Sequence, residues 1–426
     1  MKIGVIVSFF DFRADVRALI TDFINAGNQV VLFYRRQEKA DIEKHAIPGI
    51  EYRLIQEENR TFRNRLLEYS FLLFKKLPVS RNNYFLIELF KISNYPQAKS
   101  RFLFRVILNF QRLYLNFISY DFLIKNLRYS AQTELSDIDQ FIGFTEFQSD
   151  YFAARLLKEK RPLSIYVYSW DHPCKHTRFS RYFRYKVWSE GIREDLISLQ
   201  QVPASNIQVC GSSQFSFLFD FLNSAEKAEN PFGFPYVYYC CAIGIIDLIP
   251  QETAIIHTLA KELEQCRPDL KLVVRPYPLL QNWNLYQSLF SLKNVVMDDR
   301  FRTHPFPDFT TASYDKFRKL KAAELVLHSG STIGLEACFL DVASLLVDFG
   351  YGNKRSGLSV YGFIHQFQNE KYLLDEGLGL QNPADLDPVL KNLSAVKTKN
   401  KKVATHFPLK ALSEIAAQLI EKPTKG

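Results

Sequence analysis

The residues best suited to chemistry lie in one short stretch, where an apolar run is followed by small hydroxyl-bearing residues and then by a helical pattern. After the apolar residues 325–327 the chain reads His328-Ser329-Gly330-Ser331-Thr332, and Glu336 lies about one helical turn further on. Backbone N–H groups and hydroxyls at a helix N-terminus favour a phosphate group. Glu336 could then reach a ligand hydroxyl beside that phosphate. The alternative is that Ser331 or Thr332 only caps the helix.

A basic residue follows another apolar run. Arg275 ends the run LKLVV, where a guanidinium can pair bidentately with a phosphate and neutralise the charge of a leaving group without a metal ion. A salt bridge to a neighbouring helix is the alternative for this side chain. The acidic doublet Asp298-Asp299 follows the run VVM and could bind a divalent ion, but the adjacent Arg300 indicates a surface turn. We therefore expect no metal ion and no other cofactor.

Length and composition indicate a globular protein. The chain has 426 residues, of which 47% are hydrophobic and 23% charged, and this composition excludes a disordered or collagen-like chain and allows two domains. Six scattered cysteines show no ligand spacing, so a disulfide scaffold or a zinc module is not expected. The first apolar run lacks the features of a signal peptide, and no nearly uncharged apolar stretch is long enough to span a bilayer. We expect a cytoplasmic protein.

The alternation of apolar runs and helical patterns predicts an α/β protein with two Rossmann-like parallel sheets. The first half opens with a strand at 2–8, a helix at 13–26 and a strand at 29–35, which is the start of a βαβ unit. A similar series begins after Pro231. We predict an N-terminal domain at 1–210, a linker at 211–235 that grows polar and ends in Pro and Gly, a C-terminal domain at 236–405, and a C-terminal helix and tail at 406–426.

Four stretches of the sequence occur in an order typical of one enzyme superfamily. They are Ser169-Trp170-Asp171-His172-Pro173-Cys174-Lys175, the passage from Val187-Trp188-Ser189 to Val209-Cys210-Gly211-Ser212, Val274-Arg275-Pro276-Tyr277-Pro278, and the S-G-S-T-x-x-x-E-A run at 329–337. Together they resemble the GT-B glycosyltransferases, and in particular bacterial surface-polysaccharide enzymes such as capsule Kdo transferases and CDP-glycerol phosphotransferases. Tyr277 stands where these enzymes usually carry His.

The resemblance implies a GT-B fold, in which two parallel-sheet domains face a cleft, with the acceptor bound by the first domain and a nucleotide-sugar donor by the second. It implies that the Ser/Thr-rich turn holds the donor phosphates and that the helix glutamate holds the ribose. We therefore expect a donor site made of the following residues: Lys175, Ser212, Arg275, Tyr277, His328, Ser329, Gly330, Ser331, Thr332 and Glu336.

An acceptor hydroxyl that attacks a sugar must lose its proton, which requires a carboxylate or an imidazole from the first domain. Asp11 follows the first strand, Asp171 and His172 follow the last strand predicted in the first half, and Glu146 follows the run FIGFT. All four are candidate catalytic bases. The alternatives are that Asp11 caps the first helix, that His172 shapes a turn and that Glu146 lies on a solvated loop.

A basic and aromatic segment accounts for the charge of the chain. The net charge is +9, and residues 60–128 carry thirteen Lys or Arg against three acidic residues. Aromatic and aliphatic residues recur there at helical spacings, which predicts a helical insertion in the first domain. Such helices can lie in the membrane interface with their cations near anionic headgroups. The alternative is that the apolar face packs on the first domain. Nucleic-acid binding is not expected, because no motif for it is present.

The sequence therefore predicts a metal-independent glycosyltransferase of GT-B architecture. It would move a sugar from a nucleotide-sugar donor to a hydroxyl of a bacterial surface glycan, one that is lipid-linked if the basic segment lies on the inner face of the cytoplasmic membrane. Two alternatives stay open. One is a different chemistry on the same fold, either polyol-phosphate transfer from a CDP-alcohol or epimerisation of a nucleotide sugar. The other is a non-catalytic scaffold at the membrane.

Overall fold

The computed structural model describes residues 1–7, 13–40, 42, 46–78, 81–93, 97–113, 115–144, 149–225, 229–242, 244, 246–277, 280–298, 309–350, 362 and 364–420. The chain divides into two compact units. Unit 1 consists of Met1–Glu88, Tyr95–Ser216 and Pro408–Gly426, and unit 2 consists of Leu89–Asn94 and Phe217–Phe407.

Unit 1 is built on a seven-stranded sheet with the order β3-β2-β1-β4-β5-β6-β7, in which all paired strands are parallel. The strands are β1 Lys2–Ile6, β2 Gln29–Tyr34, β3 Glu51–Leu54, β4 Gln140–Phe144, β5 Leu163–Tyr166, β6 Arg184–Val187 and β7 Ile207–Val209. Every residue of the central strand β4 is buried. Burial on both faces is expected of a parallel sheet, because its crossover helices cover both sides.

Unit 2 carries a six-stranded parallel sheet with the order β10-β9-β8-β11-β12-β13. Its strands are β8 Tyr236–Cys240, β9 Lys271–Arg275, β10 Val295–Met297, β11 Leu325–His328, β12 Ala343–Val347 and β13 Gly379–Leu380. All residues of β8, β11 and β12 are buried. The prediction of two parallel-sheet α/β halves is therefore confirmed.

Helices connect the strands throughout. The α-helices are α1 Ala14–Asn25, α2 Phe62–Phe74, α3 Arg81–Ser93, α4 Ala98–Gln111, α5 Tyr120–Asn126, α6 Asp150–Lys158, α7 His172–Lys175, α8 Glu190–Gln200, α9 Ser216–Asn223, α10 Ile249–Cys266, α11 Phe309–Ala322, α12 Thr332–Phe339, α13 Leu386–Lys391, α14 Leu393–Thr405 and α15 Leu412–Leu419. Short helical turns lie at Arg36–Glu38, Ala204–Asn206, Ser213–Phe215, Ile246–Leu248, Leu280–Ser291, Phe367–Asn369, Glu370–Leu374 and Pro383–Asp385. Within the described residues, no helix is both long and apolar enough to cross a bilayer.

Part of the stretch predicted as a linker forms a helix. Residues Ser216–Asn223 are helical, and Leu218 and Phe221 belong to the hydrophobic core of unit 2 together with Tyr236 and Phe317. The run SFLFDFLN is apolar, so its burial removes more hydrocarbon from water than a solvated linker would. At the other end of the chain, α15 packs on α1 of unit 1, and Gln140 Nε2 donates to the carbonyl of Leu419 at 3.1 Å.

Candidate functional site

The turn after β11 contains a glycine in a left-handed backbone conformation. Gly330 has a φ of +93°, in the left-handed region that favours glycine. A Cβ at this position would lie 2.3 Å from Asn369 Nδ2, so the Asn369 side chain covers the turn closely. Ser331 occupies the N-cap of α12, but its side chain accepts no capping hydrogen bond, and its buried Oγ has no partner among the described residues.

His328 shapes this turn from inside. Its side chain is 1% exposed, and its Nδ1 accepts a hydrogen bond from the backbone N–H of Gly330 at 3.1 Å. This places the proton of the neutral ring on Nε2, on the side where a Cβ at Gly334 would lie 2.3 Å away. Burial lowers the pKa of His328 from 6.5 to about 4, so the ring is neutral at pH 7.

The Ser329 hydroxyl belongs to a buried hydrogen-bond network that joins the turn to two other elements. Its Oγ donates to Glu252 Oε1 at 2.6 Å, and it lies 2.6 Å from the Tyr239 hydroxyl, which must then donate to it. Glu252 comes from α10 and also accepts from the backbone N–H of Ala242 at 3.1 Å. The network ties the start of the turn to β8 and α10.

The two carboxylate oxygens of Glu336 differ in their contacts. The side chain is 5% exposed, and Oε1 pairs with Lys316 Nζ at 2.6 Å. Oε2 is buried and has no hydrogen-bond partner in the part of the chain that the structure describes. A buried carboxylate oxygen without a partner costs free energy, unless a ligand hydroxyl fills the place.

Arg275 ends β9, as predicted, and lies in a group of charges. Its Nη1 is 3.8 Å from Asp298 Oδ2, and Asp298 also pairs with Lys319 at 2.7 Å and accepts from the Tyr238 hydroxyl. Asp298 is 2% exposed, so the expectation of a surface turn was wrong for this residue. Asp298, one ion partner of Arg275, follows β10. Asp299 lies outside the described residues.

Arg275, the turn after β11 and Glu336 come together at the carboxyl end of the sheet of unit 2, whereas Lys175 and Ser212 belong to unit 1. Burial raises the pKa of the Cys240 thiol at the end of β8. Four nearby charges also influence this pKa, those of Arg275, Asp298, Glu336 and Lys316. Because β8 lies between β9 and β11, the strand ends that carry Arg275 and the turn flank it. Tyr277 follows two residues after β9 and is partly buried. Open α/β sheets bind ligands at the carboxyl ends of their strands.

Sequence reasoning missed a polar group at the end of the next strand. Asp348 follows β12, is fully buried and lies 2.7 Å from His365 Nε2. Asp348 Oδ1 and Asn369 Oδ1 are buried without a hydrogen-bond partner among the described residues. An acidic residue directly after a buried strand was a signal that could have pointed to Asp348. No local signal pointed to Lys316 or Asn369, because both contacts are long-range.

In unit 1, the structure places Asp171, His172 and Lys175 in one short helical turn after β5. Lys175 Nζ is 2.5 Å from Asp171 Oδ2, and Ser169 Oγ donates to Asp171 Oδ1 at 2.6 Å. Burial by itself raises the pKa of Asp171, but the charges of Lys175 and His172 outweigh it and hold that pKa well below its usual range. His172 is buried, and its ring centroid is 4.6 Å from that of His176.

The remaining predicted residues are placed as follows. Ser212 is 2% exposed, and its Oγ has no hydrogen-bond partner among the described residues. Asp11 and Glu146 lie outside those residues. Asp15, which lies close to Asp11 in the sequence, was not predicted. Its carboxylate accepts hydrogen bonds from the Tyr168 hydroxyl at 2.9 Å and from the Ser213 hydroxyl at 2.6 Å. Burial raises the pKa of Asp15. An acidic residue in the first turn of a helix is typical of simple capping, so its type carried no further signal.

The neutral His328 ring makes stability depend on pH. Because its pKa is lower in the folded protein than in the unfolded chain, the unfolded chain binds more protons between pH 6.5 and about 4, and stability falls as the pH falls through that window. His328→Asn keeps an acceptor for the Gly330 N–H. We expect the difference in the free energy of unfolding between pH 7 and pH 4 to be smaller in this variant, by up to about 3 kcal/mol. Urea unfolding at pH 7 and pH 4 measures it. Equal pH dependence in the variant and the wild-type protein would contradict this assignment, and His257→Asn, at a half-buried histidine outside the turn, is the control.

Comparison with known proteins shows the fold. No protein-family model matches the chain, and no curated protein matches its sequence. Among solved structures, the UDP-GlcNAc 2-epimerase of Neisseria meningitidis bound to UDP-GlcNAc is 12% identical with a TM-score of 0.50 and covers 98% of both chains. UGT89C1 of Arabidopsis thaliana is 12% identical with a TM-score of 0.51 and covers 98% of this chain and 99% of its own. The chain has the GT-B fold, as the resemblance implied.

Proposed function

We propose that the protein is a glycosyltransferase that moves a sugar from a nucleotide-sugar donor to a hydroxyl of a lipid-linked bacterial surface glycan. The observation that carries this proposal is the available Oε2 of Glu336, which lies one helical turn beyond a left-handed glycine turn at a helix N-terminus. A ribose hydroxyl and the adjacent phosphates match these two features. The ligand of the N. meningitidis neighbour, UDP-GlcNAc, supports a UDP-sugar as the first donor to test.

The donor residues would share the work as follows. Backbone N–H groups of the turn and the hydroxyls of Ser331 and Thr332 would hold the phosphates, and Glu336 would hold the ribose. Arg275 would stabilise negative charge on the leaving nucleotide, since a guanidinium next to a phosphate offsets charge that develops in the transition state. Asp298 orients this guanidinium from 3.8 Å. We expect no metal ion to be needed for this step.

For the acceptor, we propose His172 as the base. A histidine titrates nearer to neutral pH than a carboxylate does, whereas Asp171 is held ionised by Lys175 and is therefore a weak proton acceptor. His172 would take the proton of the acceptor hydroxyl as its oxygen attacks the anomeric carbon. The bond from that carbon to the phosphate oxygen breaks, and the nucleotide leaves with the electron pair.

The test is a donor panel. Binding of UDP, GDP, CMP and CDP by thermal shift is followed by incubation with the corresponding nucleotide sugars and a bacterial glycolipid extract, and the release of the nucleotide is measured. We expect one nucleotide to stabilise the protein and its sugar donor to be consumed only when the extract is present. His172→Asn is expected to lower turnover by about 100-fold or more with unchanged nucleotide affinity. Absence of binding by every nucleotide would overturn the proposal.

Epimerisation is a second candidate, because the N. meningitidis neighbour with this reaction in its name matches over almost the whole chain. The same panel separates the two reactions. An epimerase converts the nucleotide sugar in the absence of any acceptor, and the product differs in configuration at one carbon of the sugar. A transferase instead requires the glycolipid extract for turnover.

The exposed residues of α2, α4 and the segment after α4 support a lipid-linked acceptor. Large apolar side chains are exposed on these elements: Phe62 83%, Leu66 57%, Tyr69 62%, Phe102 71%, Leu103 55%, Val106 48%, Leu113 64%, Leu115 47% and Phe117 70%. The elements pack on one another, since the Phe74 ring lies 5.6 Å from that of Phe110 and 5.1 Å from that of Phe117. Contiguous exposed apolar surface marks an interaction site.

The charge of this surface supports an anionic bilayer as its partner. The helix Ala98–Gln111 buries only Leu108 and Gln111 and contains no acidic residue. Arg105 and Arg112 are exposed beside its aromatic residues. Aromatic side chains inserted at the headgroup level, with cations beside them, are typical of helices that lie on membranes. We therefore propose a peripheral position on the inner face of the cytoplasmic membrane.

Removal of three exposed phenylalanines tests membrane binding. We expect the wild-type protein to sediment with vesicles that contain phosphatidylglycerol, less with pure phosphatidylcholine, and Phe62→Ser/Phe102→Ser/Phe117→Ser to bind at least about tenfold more weakly, since each ring forfeits buried apolar area. The matched control is Ile246→Ser/Phe290→Ser/Phe309→Ser in unit 2, where the side chains are 56%, 55% and 61% exposed. Equal loss in the control, or no binding by the wild-type protein, would contradict the proposal.

A further inference from the structure

Unit 1 contains a polar cavity that lies apart from the residues to which the transfer step has been assigned. Its volume is about 860 Å³, within the range of small-molecule sites. It is lined by residues that follow β2 and β3, by Glu68 of α2, by Gln132, and by Ser149 to Tyr151 at the start of α6. None of the described residues assigned to sugar transfer lies in this lining. The segments after β2 and β3 begin at the carboxyl ends of parallel strands, where open α/β sheets bind ligands.

One wall of the cavity is held rigidly by a buried ion pair. Glu57 is fully buried, its Oε1 pairs with Arg155 Nη1 at 2.7 Å, and its Oε2 accepts from Thr133 Oγ1 at 2.9 Å. The backbone N–H of Gln56 donates to the same Thr133 hydroxyl at 2.9 Å. This network fixes the backbone that carries Gln56 and Gln132 against the cavity. A buried, fully bonded ion pair is costly to break, so the wall is preorganised.

The charges at the cavity are nearly balanced. Four of the six charged side chains that line it are already in ion pairs: Arg35 with Glu38 at 2.6 Å, Arg60 with Glu58 at 2.7 Å (both line the cavity), and Asp150 with Arg178 at 2.9 Å. The two that remain, Arg36 and Glu68, are of opposite sign. A strongly anionic ligand would need an excess of positive charge, which these pairs do not leave.

The lining supplies both hydrogen-bond donors and hydrogen-bond acceptors. Gln37, Gln56 and Gln132 each present an amide, while Arg36 donates and Glu68 accepts. Sugar hydroxyls are donors and acceptors at once, so they can satisfy amides, a guanidinium and a carboxylate together. We propose that this cavity binds a neutral oligosaccharide. That this oligosaccharide is part of the acceptor glycan rests on the proposed function, whereas carbohydrate binding itself does not.

The test uses the full chain on an array of bacterial surface oligosaccharides, followed by titration calorimetry with the best-bound oligosaccharide. We expect at least one neutral oligosaccharide to bind, and Arg36→Ala and Gln56→Ala each to weaken its binding at least tenfold. Both side chains are exposed, so neither change should impair folding. The control is Arg193→Ala on α8, which contacts β6 and β7 at the opposite edge of the sheet and is expected to bind as the wild-type protein does.

Two results would overturn the inference: an array on which no oligosaccharide is bound, or binding that both cavity variants retain in full. Titration of the same proteins with UDP distinguishes a failure of the cavity proposal from a failure of the proposed function. Loss of carbohydrate binding with UDP binding intact places the effect in the cavity. Carbohydrate binding by a protein that binds no nucleotide would leave the cavity assignment standing and remove the transferase assignment.

Discussion

Glu336→Gln is expected to weaken the binding of UDP by about 10- to 100-fold, because a hydrogen bond to a charged group contributes about 1.5–3 kcal/mol. The wild-type carboxylate is held by Lys316 on one oxygen at 2.6 Å, and the other oxygen is buried without a partner among the described residues. The amide keeps the shape of the side chain but carries no charge. Titration calorimetry with UDP measures the loss directly.

The matched control for this prediction is Glu324→Gln. Glu324 immediately precedes β11, at the opposite end of that strand from the turn, and its side chain is 35% exposed and 3.8 Å from Arg267. Since this pair is partly exposed, its loss should change neither UDP affinity nor stability by more than about 1 kcal/mol. If Glu336→Gln binds UDP as tightly as the wild-type protein, the ribose role of Glu336 is excluded. If both variants lose affinity equally, the effect is not local to the turn.

The strands that are buried along their whole length could be predicted from the sequence, whereas most of the strands at a sheet edge could not. β8 and β12 are buried along their whole length and appear in the sequence as continuous apolar runs. β3 reads EYRL, β7 reads IQV and β13 has two residues, so each lacks either the length or the apolar content of a predicted strand. All three lie at a sheet edge, where one side is unpaired and polar residues are tolerated.

The turn of the candidate site could likewise be predicted, because its signal is local. Small residues between a buried strand and a helix determine its position without reference to the rest of the chain. Its supports are not local: Glu252 bonds Ser329 across 77 residues and Lys316 bonds Glu336 across 20. A single sequence contains no pattern that pairs such residues, since the parallel sheet brings them together only after folding. The buried hydrogen bonds of Ser329 to Glu252 and Tyr239 were missed for the same reason.

Gly330→Ala is expected to lower the free energy of unfolding by about 2–5 kcal/mol and to abolish measurable UDP binding. The residue has a φ of +93°, and the new Cβ would lie 2.3 Å from Asn369 Nδ2. Asn369 cannot easily move aside, because it is fully buried and its Nδ2 donates to the carbonyl of Ile364 at 3.0 Å. Either the turn or Asn369 must shift, and both belong to the proposed donor site. Urea unfolding and UDP titration measure the two effects.

Two further variants separate backbone strain from the contact with Asn369. Gly233 also has a positive φ, of +74°, but a Cβ there would meet nothing within 4 Å, so Gly233→Ala should lose only about 1–2 kcal/mol and bind UDP normally. The double variant Gly330→Ala/Asn369→Ala should be less destabilised than the sum of its single changes, by about 0.5–3 kcal/mol, because the clash is relieved. Simple additivity would mean that strain alone accounts for the glycine, and Asn369 would then have no part in holding the turn open for a phosphate.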